Sequence, residues 1–87
     1  MAEAPIIFGG MADPEGQIER EIMQGWPQFL IAQTYAMIMR QCGSGADWPR
    51  INRAITERWK GKTALARIKR QAWDRYEGKD QRMALEG

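Results

Sequence analysis

The sequence predicts an all-α protein, a small bundle of about four helices, and three observations carry that prediction. Two segments begin with an acidic cap followed by an early proline, Asp13-Pro14 and Asp47-Trp48-Pro49, as helix starts do. Apolar residues recur at spacings of three and four, the period of one helix face. Glycine-containing breaks separate these segments, and caps, stripes and turns all indicate the same architecture. A chain of 87 residues has room for a single domain with one core. We read residues 1–12 as an irregular N-terminal arm, 13–78 as the helical core and 79–87 as a frayed polar tail.

The first helix starts at Asp13, with Pro14 suited to its first turn and Glu15, Glu19 and Glu21 near the positive end of its dipole. Ile18, Ile22 and Met23 form its narrow apolar stripe, and Gly25 closes it. Trp26-Pro27 opens a second helix, from about Gln28 to Gln41. There Phe29, Ile31, Ala32, Tyr35, Ile38 and Met39 cover one side while Leu30 and Met37 lie opposite. A helix apolar nearly all round belongs at the centre of the fold. The uncharged run from Met23 to Met39 holds five polar or proline positions and falls short of the roughly 20 apolar residues that span a bilayer, so no membrane role is expected.

Cys42 to Ala46 reads as a flexible loop. The third helix then runs to about Trp59, with Trp48, Ile51, Ile55 and Trp59 on one face and Arg50, Arg53 and Glu57 turned away. Lys60-Gly61-Lys62 breaks the chain, with Gly61 as the helix stop, and Thr63 is positioned to cap a fourth helix. Its Leu65, Ile68, Ala72 and Tyr76 line up, Trp73 sits on the flank, and Arg67, Arg70, Asp74 and Glu77 lie outward. Trp48, Trp59 and Trp73 accompany aliphatic stripes and are read as core.

Several activities are disfavoured by what the chain contains. Gly61-Lys62-Thr63 matches the end of a phosphate-binding loop, but that motif needs a glycine five positions earlier, where Thr56 stands inside a helix. There is no histidine, hence no imidazole base, nucleophile activator or metal ligand. Cys42 is the sole cysteine, which rules out an internal disulfide and fits a reducing, cytoplasmic setting. One thiol and scattered carboxylates make no ligand set. The expectation is a non-enzymatic protein with no cofactor, no metal and no small-molecule substrate.

Charge placement is more informative. Residues 1–25 carry five acidic side chains against Arg20, whereas residues 50–75 carry nine basic side chains against Glu57 and Asp74. A basic face formed by Arg50, Arg53, Lys60, Lys62, Arg67 and Arg70 is suited to phosphates or to an acidic or nucleoprotein partner. The start of the fourth helix offers Ala64, Leu65 and Ala66 rather than base-reading side chains, so the contacts would position rather than read sequence. The same cations also suit a solvated face that neutralises the acidic first helix.

WPRINRAITERW followed by ALARIKRQAW resembles the paired Trp/Ile helices of small proteins encoded by phages and prophages. The resemblance spans Trp48 to Tyr76 and implies an accessory protein that binds nucleic acid or blocks a host nucleoprotein machine, as anti-CRISPR proteins do. A different class of activity, a protein-binding inhibitor or adaptor, would use apolar anchors such as Phe8, Trp26 and Met37. Self-association through the second helix, giving a homo-oligomer, is the third expectation.

Overall fold

The computed structural model describes residues 13–77, so the N-terminal arm, the polar tail and Phe8 lie outside the described residues. Among these residues there are four α-helices and no strand. They are α1 (Pro14–Met23), α2 (Gln28–Gln41), α3 (Trp48–Arg58) and α4 (Lys62–Glu77), with a short 3-10 turn at Gly43–Gly45. No described helix is long and apolar enough to cross a membrane.

Local chemistry sets the helix ends. Asp13 caps α1 by accepting from the Gly16 amide at 3.2 Å, an interaction worth about 1 kcal/mol. The carboxylate lies so close that a Cβ at Gly16 would collide with Asp13 Oδ2, which explains a glycine in the first turn of a helix. At the other end Gly25 takes a φ of 86°. The Trp26 amide then donates to the Glu21 carbonyl and the Gly25 amide to Ile22, the six-to-one and five-to-two pair of a Schellman motif. Asp47 caps α3 by accepting from the Arg50 amide.

The α3–α4 turn differs from the sequence expectation in two ways. Gly61 does not occupy the left-handed stop position. Lys60 does, at a φ of 56°, and the Gly61 amide donates to the Thr56 carbonyl. Thr63 also lies inside α4, one residue past its start at Lys62, and so does not cap it. A left-handed side-chain-bearing residue costs about 1–2 kcal/mol, part of which glycine returns as unfolded-chain entropy. Lys60→Gly is therefore expected to stabilise the fold by about 0.5–1 kcal/mol, read as a higher thermal midpoint.

The core is largely isoleucine. Ile18, Ile31, Ile38, Ile51, Ile55 and Ile68 are fully buried, joined by Ala32, Ala36, Tyr35 and Ala72. Each isoleucine contributes about 1.5–3 kcal/mol of burial. Alternate helices pair: α2 packs most extensively on α4, and α1 on α3. Along α1 and α3 the contacts climb together. Glu15 accepts from the Asp47 amide at 2.7 Å, and one turn later Glu19 accepts from Arg50, so these two helices run side by side in the same direction.

Several apolar residues expected in the core are not there. Met23 is 85% exposed, Phe29 52% and Trp73 49%. Met23 follows the buried α1 stripe by one residue and is turned about 100° from it. Phe29 sits in the first turn of α2, where the neighbouring helices do not cover it. Trp48 and Trp59 pack against the core while remaining half-buried, as does Trp26.

Candidate functional site

The six basic residues singled out from the sequence do not form one uniform face. Arg50 is committed within the fold: its Nε and a terminal nitrogen donate to the two Glu19 carboxylate oxygens, each at 2.8 Å. This fork ties α1 to α3 and holds Glu19 below the usual carboxylate range, first through the hydrogen bond and then through the charges of Arg50 and Arg53. The acidic first helix thus captures one member of the basic set. Arg53 lies beside this pair, in a groove it shares with Glu19, Ile22 and Glu57.

The α4 cations are distributed by helix geometry. Arg67 and Lys69 flank the buried Ile68 on opposite sides. Arg67 donates to the Gln28 side chain at 3.0 Å, which ties α4 to the start of α2. Arg70 points outward. Lys60 and Lys62 occupy the turn and the first residue of α4. Arg53, Lys60, Lys62, Lys69 and Arg70 are exposed and make no salt bridge among the described residues.

On the Lys69 flank an open cleft of about 440 Å³ lies between α2, the 43–45 turn and the start of α3 on one side and α4 on the other. Tyr35 and Trp48 form its floor as a tilted pair with centroids 4.8 Å apart. The Tyr35 hydroxyl donates to Asn52 Oδ1 at 2.8 Å, and burial pushes its pKa up to about 12. Trp48 Nε1 donates to the Gly43 carbonyl at 2.7 Å, so both floor rings are fixed by their polar ends. The α4 wall carries Lys69, Trp73 and Tyr76. The last two rings stack at 5.4 Å and 24°, and the Arg40 guanidinium lies 5.9 Å from the Tyr76 centroid.

Lys69 stands outside the six-residue basic set expected from the sequence, and Trp73, expected in the core, lines the cleft. The signal for the alternative was present, because Lys69, Trp73 and Tyr76 are spaced four and three apart and therefore share a helix edge. Of the apolar anchors, Trp26 packs against the core and Met37 is half-buried in α2. The exposed apolar side chains on either side of the α1–α2 connection are instead Met23 and Phe29.

No family model, curated protein or solved structure matches the chain.

Proposed function

We propose that this chain is a non-enzymatic, cofactor-independent binding module that contacts nucleic acid through the basic surface of the α3–α4 turn and α4. The observation that carries this reading is the set of exposed cations without an internal counter-charge. Lys60, Lys62, Lys69 and Arg70 stay unpaired among the described residues, while Arg50 is spent on Glu19. Cations that form no ion pair among the described residues are available to displace counterions from phosphates, which is the main source of sequence-independent affinity. The spacing suits backbone contact rather than base readout, because the start of α4 exposes Lys62, Thr63 and Ala66 while Ala64 is buried. A phage or mobile-element accessory protein acting in the cytoplasm fits these features and the Trp48–Tyr76 pattern. A nucleoprotein complex presents the same phosphates and is included in the reading.

The test is a comparison of variants by fluorescence anisotropy on a labelled duplex. Lys62→Glu/Arg70→Glu is expected to weaken binding by at least about tenfold. Arg50→Ala, which removes a cation already committed to Glu19, is expected to leave affinity within about twofold. Equal losses in both variants would mean that the surface works only as bulk charge.

Met23 and Phe29 favour a second reading, a protein-binding inhibitor or adaptor. Two exposed side chains of this size beside one connection are the kind of apolar anchor that protein interfaces use. Under that reading Met23→Ser/Phe29→Ser abolishes capture of the partner and Lys62→Glu/Arg70→Glu does not. Self-association through α2 would appear as a concentration-dependent mass in sedimentation.

A further inference from the structure

We propose that the aromatic cleft between α2 and α4 is a stacking site for unpaired bases, which makes this protein selective for single-stranded over duplex nucleic acid. The inference deepens the reading of the basic surface and rests on it. It begins from a cost: a tryptophan left 49% exposed next to a tyrosine left 41% exposed forgoes burial that the core would reward. These two rings are stacked on each other and stand at the mouth of a cleft whose floor is a second aromatic pair. Four aromatic side chains from three helices therefore converge on one opening.

The charge around the opening indicates what enters it. Lys69 lines the cleft, and Lys62 lies on the same edge of α4, seven residues or about two turns earlier. The Arg40 guanidinium sits over Tyr76. Among the described residues, no carboxylate lines the cleft. A cationic rim around π faces matches a ligand that is anionic along its backbone and flat and apolar at its bases, the combination found in single-strand binding grooves. An acidic peptide would satisfy the rim but leave the ring faces without flat partners. A duplex would satisfy the rim as well, yet its bases are already stacked and cannot reach the rings. At about 440 Å³ the cleft is in the size range of a small-ligand site, roughly 300–1,000 Å³. The rigid floor, pinned through Tyr35 to Asn52 and Trp48 to Gly43, keeps the opening formed before anything binds.

The experiment compares a labelled oligo-dT with a duplex of the same length, using the full chain and three variants, Trp73→Leu, Trp73→Phe and Tyr76→Leu. Thermal midpoints are recorded for each. Trp73→Leu is expected to lose about 5- to 150-fold in single-strand affinity with duplex affinity changed by less than about twofold. Trp73→Phe retains a ring face and is expected to recover most of the loss. Tyr76→Leu, which removes the other ring of the stack, is expected to show the same selective defect. Unchanged single-strand binding in both leucine variants would overturn the proposal while leaving the basic-surface reading standing. So would equal losses on the two nucleic acids at an unchanged thermal midpoint. Wild-type protein that binds neither nucleic acid would refute the basic-surface reading itself, and the stacking site with it.

Discussion

Ile68→Ala is expected to cost about 2–5 kcal/mol of folding stability. Ile68 is fully buried at the centre of α4, where α4 meets α2 in the largest helix contact of the fold. Truncation removes three carbon atoms from a buried cluster walled by two helices, which also holds Ile31, Ala32 and Ile38 of α2 and Ala72 of α4. Such walls close only partly, so a cavity term adds to the lost transfer energy. A domain of this size has a total stability of about 4–13 kcal/mol, so the loss is a large share of it. Urea unfolding followed by circular dichroism checks the value. A cost below about 1 kcal/mol would mean that α4 is not seated on α2 as described.

Glu21→Gln is expected to stabilise the protein at neutral pH and to have no effect near pH 4. Glu21 is 2% exposed. Its Oε2 accepts from Gln17 Nε2 at 2.7 Å and from Thr34 Oγ1 at 2.9 Å, while its Oε1 is buried without a partner. Burial is the largest influence on this carboxyl and raises its pKa, against the lowering effect of the two hydrogen bonds and of Arg20. A raised folded-state pKa means that the folded protein holds the proton more tightly than the unfolded chain does. Its stabilising effect is complete below the unfolded pKa and is lost as the pH rises through the folded one. An amide of the same shape keeps both incoming hydrogen bonds through its carbonyl and carries no charge at any pH, and its NH2, in the partnerless place of Oε1, offsets part of the gain. The gain at pH 8 is on the order of 1 kcal/mol, or about 4–8 °C in the thermal midpoint. Glu19 acts in the opposite sense, since its lowered pKa supplies stability above the unfolded value that fades as the pH falls. Comparing Glu21→Gln with wild type at each pH cancels that contribution. A variant that is no more stable than wild type at pH 8 would show that the buried carboxylate is accommodated as an anion.

The parts of the fold governed by neighbours in sequence were legible before the structure. Asp13-Pro14 and Asp47-Trp48-Pro49 give the starts of α1 and α3 because a cap acts within one turn. Gly25 gives the end of α1 because only a few residues tolerate a left-handed stop. Lys60 shows the limit of that argument. It takes the left-handed position beside a glycine that was free to do so, and no residue preference signals the choice.

The candidate site was legible in composition and not in arrangement. The excess of basic residues between 50 and 75 is evident from counting. The loss of Arg50 from that set depends on Glu19, 31 positions away, and no local pattern couples two helices across that distance. Trp73 shows the same limit. Periodicity places it on the flank of the α4 stripe, and whether a flank is covered depends on how far α2 and α3 extend over it. Here the 43–45 turn and Trp48 stop short, and the flank opens as a cleft.

The central claim, that unpaired cations on α4 and its leading turn hold phosphates, is tested most directly by the salt dependence of wild-type binding to a labelled duplex. If Lys60, Lys62, Lys69 and Arg70 each neutralise one phosphate, log affinity plotted against log salt concentration falls with a slope between about −3 and −4. Binding whose affinity does not change with salt, or no binding to this duplex or to a single strand of the same length at the lowest salt used, would contradict the claim.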